Sequence, residues 1–219
     1  MSKRFENRDE AGRLLAERLM NLHLPKPLVV LALPRGGVPV GAVVARALGA
    51  PLDLLLVRKI GAPWQPEYAL GAVAEGNPSE VFVDPDSRRG TGVELDYIHA
   101  QAQTELREIA RRRRAYLSDR APVEVKGRTA IVVDDGIATG ATMRAALKAL
   151  RRRQPSLLVL AVPVAPQDTL DALRGEVDRI VCLEQPFPFN AVGQHYVEFD
   201  QVSDEQVMQA LDSARRNGS

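Results

Sequence analysis

The sequence predicts an α/β fold, with an open, mainly parallel five-stranded sheet and helices on both faces. Short unbroken apolar runs alternate with segments of helical period, and this alternation is typical of parallel strands joined by crossover helices. Two strand-to-helix transitions pass through turns rich in Gly and polar residues, at the sheet edge where such folds bind ligands. The 219 residues, 45% of them apolar, suffice for one domain, and no repeat or Ser-rich linker divides the chain.

The apolar runs predict five core strands and the periodic segments predict the helices that join them. Asn7 and Glu10 have capping-box spacing at the start of the first helix, and Gly49 closes the second. The predicted strands are 28–33, 53–57, 129–133, 157–162 and 179–183. The predicted helices of the core are 8–22, 38–48, 143–150 and 167–174. The core therefore takes up residues 25–60 and 126–184, approximately.

Residues 61–120 are predicted to form an insertion into this core, made of a hairpin and a helix. Strands at 69–74 and 80–83 flank the turn Glu75-Gly76-Asn77-Pro78 and should form a hairpin, with Glu75 as a solvated turn acid. A long helix follows over Gly92 to Leu117. Four consecutive arginines, Arg111 to Arg114, point around the whole helix without interleaved aromatics, so they indicate a solvated helix end rather than a nucleic-acid surface.

Residues 185–215 are predicted to form an irregular segment that covers the cleft at the sheet edge, called the hood below, and then a terminal helix. Phe187 and Phe189 alternate with prolines in a semi-rigid segment suited to stacking on a flat ring or to packing the hood. His195 is a further candidate in this segment. Ser203 with Gln206 then forms a capping box for a helix over 204–214.

Charge and cysteine content narrow the class of protein. The chain has 29 basic and 28 acidic residues, a net charge of +1, which argues against nucleic acid or an anionic membrane as main partner. Cys182 is the only cysteine, so no intramolecular disulfide forms and a reducing cytoplasm is expected. The start of the sequence lacks a signal-peptide core, and no apolar run reaches transmembrane length. We expect a cytoplasmic monomer or homodimer.

The most informative stretch follows the strand at 129–133. Asp134 and Asp135 are adjacent acids at the strand's carboxyl end, and Ala138, Thr139, Gly140, Ala141 and Thr142 then lead into a helix. A Gly- and hydroxyl-containing turn at a helix start presents free N–H groups and the positive end of the dipole to a phosphate. The acids can accept hydroxyl groups beside it. This combination suits a ribose 5-phosphate; the spacings of a Walker loop and of a dinucleotide fingerprint are both absent.

Two further segments offer anion-binding groups. Arg35 precedes Gly36 and Gly37 in a turn whose glycines let the backbone approach a bulky anion while the guanidinium forks onto its oxygens. Arg58 and Lys59 follow the predicted strand 53–57 and should face the same crevice, with an irregular Gly- and Pro-containing segment after them. Lys59 is the stronger candidate of these two cations.

These motifs resemble the type I phosphoribosyltransferase family, most specifically at 34–37 and 131–142, and the resemblance covers nearly the whole chain. It implies binding of phosphoribosyl pyrophosphate (PRPP) and transfer of its phosphoribosyl group to a nitrogenous small-molecule acceptor. It also implies Asp134, Asp135 and Lys59 as catalytic groups, and pyrophosphate held by Arg35, Gly36, Gly37, Arg58 and Lys59. Magnesium would be held through PRPP and water, with Asp134 and Asp135 as additional ligands, and a base would meet Phe187 or Phe189 in the hood.

One position bears on the acceptor. Oxopurine-specific members of the family carry an acid immediately before the Thr of the motif, whereas this chain has Ala138 and is similar there to adenine-type members. The acceptor stays open, and the layout resembles bacterial members of unassigned substrate. A second hypothesis also stays open: a non-catalytic protein that binds PRPP or a nucleotide and regulates a partner. A phosphatase or esterase is disfavoured, because Ser118 and Ser156 lack a nucleophile-elbow context.

Overall fold

The computed structural model describes residues 4–75, 79–83, 85–118 and 120–216. The strands found there are β1 Leu28–Ala32, β2 Leu52–Leu54, β3 Val57–Ala62, β4 Gln65–Ala74, β5 Glu80–Val83, β6 Thr129–Val133, β7 Leu157–Val164 and β8 Arg179–Glu184. The α-helices are α1 Arg8–Met20, α2 Gly37–Leu48, α3 Pro85–Thr91, α4 Leu95–Leu117, α5 Ala141–Arg152, α6 Gln167–Leu173 and α7 Asp204–Arg216. None of the helices in these ranges is long and apolar enough to cross a bilayer.

The predicted five-stranded parallel sheet is confirmed, with strand order β2-β1-β6-β7-β8. β1, β6 and the inner part of β7 are fully buried, since helices cover both faces. One core cluster packs α5 and α6 against one face, and another packs α1 and α2 against the opposite face. β1 and β6 lie side by side at the centre, so the loops that follow them are neighbours.

The predicted strand 53–57 is wrong in extent, because the chain changes sheets within it. Leu55 still donates its amide to Ala32 of β1, but the carbonyl of Leu56 accepts from Glu75 at the end of β4. β3 then pairs antiparallel with β4, and β4 with β5, in a separate three-stranded sheet. Arg58 and Lys59 therefore lie within an antiparallel strand, not at the carboxyl end of a parallel one.

The insertion is more regular than the sequence indicates. The segment after Ala62, predicted to be irregular, is a tight hairpin in which Pro63 and Trp64 connect β3 to β4. The predicted antiparallel pairing of β4 and β5 is confirmed, while the turn residues 76–78 lie outside the described residues. α3 was not predicted, and α4 begins at Leu95 rather than Gly92. A third core cluster joins this insertion to α7.

The predicted caps of α2 and α7 are confirmed, and the predicted capping box of α1 is confirmed in part. The Asn7 side chain accepts a hydrogen bond from the Glu10 amide, but the Glu10 carboxylate accepts one from the Glu6 amide rather than from the Asn7 amide. Ser203 and Gln206 exchange the two hydrogen bonds of a capping box at the start of α7. Gly49 ends α2 in the left-handed conformation at φ 59°.

Candidate functional site

The candidate site lies at the carboxyl edge of the two central strands. Ala32 at the end of β1 is in register with Val133 at the end of β6, and the Leu33 amide donates to the Val133 carbonyl. The loop 33–36 and the loop 134–140 therefore leave the sheet together. The sequence-predicted Arg35-Gly36-Gly37 turn and the acid pair meet for this reason.

Glycine is required where the two loops touch. A Cβ atom on Gly36 would lie 2.1 Å from Oδ2 of Asp135, and one on Gly37 would lie 2.9 Å from Cα of Asp134. Both separations are too short for any side chain, so the loops pack this closely only because both positions are glycine. The peptide bond between Pro34 and Arg35 is cis.

The two acids have different surroundings. Oδ1 of Asp134 accepts a hydrogen bond from the Asp135 amide at 2.9 Å. Oδ2 of Asp135, in contrast, forms an ion pair with Nε of Arg8 at 2.8 Å. The Tyr196 hydroxyl donates to the Asp135 carbonyl at 2.6 Å. Asp135 is thus fixed by α1 and by the hood, while Asp134 has no cationic partner in direct contact among the described residues.

Burial and mutual repulsion govern the electrostatics of this pair. Burial raises the pKa of Asp134 well above its usual range, and the neighbouring Asp135 carboxylate raises it further. Burial also raises the pKa of Asp135, but the Arg8 guanidinium opposes this effect. A ligand that donates hydrogen bonds to Asp134 would therefore stabilise its ionised form.

The segment 138–142 forms an open turn at the start of α5. Gly140 is left-handed at φ 75°, and Ala138, Thr139, Ala141 and Thr142 are exposed. The Thr169 hydroxyl donates to the Ala138 carbonyl at 2.7 Å and holds the turn in place. Within the described ranges, the amides of residues 138–142 donate no backbone hydrogen bond, so the turn retains the donors that an anion requires.

The structure places Lys59 between two cavities that border this turn. One, of about 210 Å³, is lined by Lys59 together with Thr139, Gly140 and Arg144. The other, of about 530 Å³, joins Lys59 to Pro34 of the first loop and to Thr142. Lys59 is therefore brought together with both predicted anion-binding loops, although it reaches them from the antiparallel sheet.

The two candidate arginines have carboxylate partners. Nη1 of Arg35 lies 3.5 Å from Oδ1 of Asp204, at the first residue of α7. Nε of Arg58 lies 2.7 Å from Oε2 of Glu105 on α4. Arg58 nevertheless lines the same 530 Å³ cavity as Lys59.

The hood residues divide into exposed and packed groups. Phe187 is 97% exposed. Phe189 stacks on His195 with 5.2 Å between ring centroids, and His195 is buried with no hydrogen-bond partner for Nε2 among the described residues. Burial and the charge of Arg4 lower the pKa of His195. A base-binding role for Phe187 or Phe189 stays a prediction.

Comparison with known proteins identifies the family. Residues 4–198 match the model of the phosphoribosyl transferase domain. The chain belongs to this family. The crystal structure of TT1426 from Thermus thermophilus superposes with a TM-score of 0.85 at 44% identity, covering 95% of this chain and 97% of that one.

Two curated relatives come from Mycobacterium tuberculosis. MT0597 of strain CDC 1551 and Rv0571c of strain H37Rv, both provisionally named phosphoribosyl transferases, are each 45% identical to this chain over 215 residues. The match covers 98% of this chain but only 48% of each relative. The chain thus spans about half the length of these members of the phosphoribosyl transferase family.

The sequence does not predict the partners that hold the pair Asp134–Asp135 in place. Arg8 looks like an ordinary helix cation, yet its guanidinium lies 3.9 Å from the centroid of the Phe199 ring and donates to the Asp200 carbonyl as well as to Asp135. Phe199 stacks in turn on Tyr196. No local pattern around Arg8 predicts these contacts, because Asp135 is 127 residues away in the chain.

Two predictions about the insertion are wrong. Glu75 is not a solvated turn acid: its carboxylate forms an ion pair with Nε of Arg113 at 2.8 Å. Arg113 is not part of a solvated helix end, because it is 9% exposed and also pairs with the buried Asp53. Arg111 and Arg112, by contrast, pair with Glu108 on the helix surface.

We expect Gly36→Ala to destabilise the protein, because the new methyl group would overlap the Asp135 carboxylate. Moving that carboxylate weakens its ion pair with Arg8, and overpacking of this kind costs about 1–3 kcal/mol. Thermal or urea unfolding measures the change. Gly175→Ala is the matched control, since a Cβ there meets nothing within 4 Å. Equal stability of the two variants would contradict the close packing of the loops.

Proposed function

We propose that the chain is a phosphoribosyltransferase that uses PRPP and magnesium and transfers the phosphoribosyl group to a nitrogenous acceptor. The observation that carries this proposal is the meeting of three features at one sheet edge: the Asp134–Asp135 pair, the Gly36-Gly37 turn packed on it, and the open amide turn 138–142. Together they offer acceptors for sugar hydroxyls and donors for phosphates at neighbouring positions.

Each end of PRPP has a proposed binding segment. The 5-phosphate would lie on the amides and hydroxyls of Ala138, Thr139, Gly140, Ala141 and Thr142 at the start of α5. The ribose hydroxyls would donate to Asp134, with Asp135 held beside it by Arg8. The pyrophosphate would lie between the Arg35-Gly36-Gly37 turn and Lys59, with Arg58 at the side.

The reaction breaks the bond between ribose C1 and the pyrophosphate oxygen and forms a bond from C1 to the acceptor nitrogen. The nitrogen supplies the electron pair of the new bond, and a proton that it carries passes to water. Positive charge develops on the ribose ring as pyrophosphate leaves with the electron pair of the broken bond. The Asp135 carboxylate, fixed before the reaction by Arg8, and the Asp134 carboxylate, held by the Asp135 amide, stabilise that charge with little reorganisation. Lys59 stabilises the leaving pyrophosphate.

The donor set suits magnesium held mainly by the substrate. The described residues contain no group of three or more His, Cys, Asp or Glu side chains that could hold a metal alone. Magnesium prefers oxygen ligands and keeps several of its waters, so the two carboxylates would complete a set made of phosphoryl oxygens and water. When bound, the ion neutralises charge on the pyrophosphate.

The test is to incubate the protein with PRPP, magnesium and a panel of bases and to follow pyrophosphate release. Adenine, hypoxanthine, guanine, uracil, orotate and nicotinate cover the main acceptor chemistries. Base-dependent release that requires PRPP supports the proposal. If PRPP and ribose 5-phosphate both fail to bind, the proposal is overturned.

A regulatory protein that binds PRPP or a nucleotide is the second candidate. Two of the arginines proposed to bind pyrophosphate already have carboxylate partners, Arg35 with Asp204 and Arg58 with Glu105. A protein that binds its ligand without releasing pyrophosphate is compatible with these ion pairs, and this favours the second candidate. Tight PRPP binding without turnover for any base would support this candidate instead.

A further inference from the structure

The 530 Å³ cavity beside the candidate site is lined in part by α4, a helix to which the proposed function gives no role. Pro34, Lys59 and Thr142, the residues that border the proposed pyrophosphate position, line part of it. The long helix α4 of the insertion and the hairpin of β3 and β4 line the rest. A ligand that bridges the two loops therefore shares this cavity with side chains of α4.

One face of α4 lines the cavity. Tyr97, Gln101, Glu105 and Arg112 lie on that face, consistent with about 100° of rotation per residue along an α-helix. The Tyr97 hydroxyl donates to the Gly61 carbonyl at 3.3 Å and so fixes the hairpin against the helix. Arg111 is one residue earlier and points about 100° away from Arg112, outside the cavity.

The charges that line this cavity favour an anion. Arg58, Lys59 and Arg112 line the cavity against a single lining carboxylate, Glu105. Glu108 does not line the cavity. Its carboxylate accepts hydrogen bonds from two arginines, from Nε and Nη2 of Arg111 and from Nε of Arg112.

Arg112 keeps donors for a ligand. Its only hydrogen bond to a described residue is made by Nε, at 2.8 Å from Oε1 of Glu108. Its side chain is 37% exposed and lines the cavity, and no hydrogen bond to a described residue occupies its two terminal nitrogens. A guanidinium held by Nε presents its outer fork to phosphate oxygens with little loss of side-chain entropy.

We propose that Arg112 is a substrate-binding residue whose terminal nitrogens bind the pyrophosphate group of PRPP from the α4 side. This inference rests on the proposed function, and it names a ligand contact that comes from the insertion rather than from the sheet-edge loops. Arg112 thereby differs in role from its neighbours in the arginine run: Arg111 is a surface cation and Arg113 is buried in the structural core.

The experiment compares Arg112→Gln with Arg111→Gln in the whole chain. Both changes remove a guanidinium that pairs with Glu108, but only the first removes a cavity-lining group. Calorimetry measures the dissociation constants of PRPP, inorganic pyrophosphate and ribose 5-phosphate in the presence of magnesium. We expect Arg112→Gln to weaken PRPP and pyrophosphate binding roughly tenfold to a hundredfold. Ribose 5-phosphate, which lacks the pyrophosphate, should bind to it as to the wild type.

Arg111→Gln should bind all three ligands as the wild type does, and Arg112→Lys should recover part of the lost affinity because it restores a charge without the fork. Equal affinities of Arg112→Gln and Arg111→Gln for PRPP would overturn this inference while leaving the proposed function intact. A uniform loss for ribose 5-phosphate as well would overturn it too, because it would indicate general distortion. Failure of the wild type to bind any of the three ligands would instead count against the proposed function.

Discussion

Asp134→Asn is expected to lower the rate of pyrophosphate release about 100-fold to 1,000-fold without lowering the stability of the protein. The Asn side chain keeps an oxygen for the Asp135 amide, the contact that Asp134 makes now. It loses the negative charge that accepts sugar hydroxyls and stabilises the developing positive charge. Steady-state kinetics with PRPP and urea unfolding measure the two quantities.

The stability part of this prediction follows from the sign of the pKa shift. Burial and the Asp135 charge raise the pKa of Asp134, so the folded protein disfavours its ionised form. A carboxyl group with a raised folded-state pKa makes the protein less stable as the pH rises from its unfolded pKa through its folded one. At neutral pH the neutral Asn side chain removes this cost, so the free energy of unfolding should be equal or higher.

Asp135→Asn is the matched comparison. It leaves Arg8 without its charged partner and weakens a contact in which both side chains are 13% exposed. Because Arg8 opposes the rise that burial causes in the pKa of Asp135, this variant should be less stable than Asp134→Asn, and it should also lose activity. If Asp134→Asn released pyrophosphate at the wild-type rate, the assignment of this acid to the ribose would be wrong.

The sequence predicts the parts of the site that depend on local pattern. The acid pair, the two glycines and the turn 138–142 each lie in one short segment, and their strands are recognisable as unbroken apolar runs. Their meeting also follows from sequence, because parallel strands bring their carboxyl ends to one edge. The confirmed caps at Asn7 and Ser203 are local for the same reason.

What the sequence does not predict depends on contacts between distant segments. The run from Asp53 to Lys59 looks like one strand, and only the competing hydrogen bonds of Leu55 to β1 and Leu56 to β4 divide it. Arg8 and Arg113 resemble surface cations until their partners, 127 and 60 residues away, are known. Periodicity assigns a residue to a helix face but does not say which carboxylate that face meets.

Replacing Arg113 with Met is expected to lower the free energy of unfolding by about 3–5 kcal/mol, because it leaves buried carboxylates without their cation. Nη2 of Arg113 lies 3.3 Å from Oδ1 of Asp53 on β2, and Nη1 donates to Glu75 at 2.8 Å. The same guanidinium thus joins α4 to the core sheet and to the end of β4. Urea unfolding measures the loss, and Arg111→Met, on the exposed side of the same helix, should leave the stability unchanged.

The pH dependence of the Arg113→Met variant tests the cause of its instability. Burial raises the pKa of Glu75, and Arg113 opposes that rise, so the variant should hold Glu75 at a still higher pKa. A raised carboxyl pKa destabilises the fold above the unfolded pKa, so the deficit should shrink as the pH falls. Adding Glu75→Gln should recover part of the stability at neutral pH, because the uncompensated charge is removed. A deficit that neither low pH nor this second change reduces would mean that lost packing, not an unpaired charge, causes it.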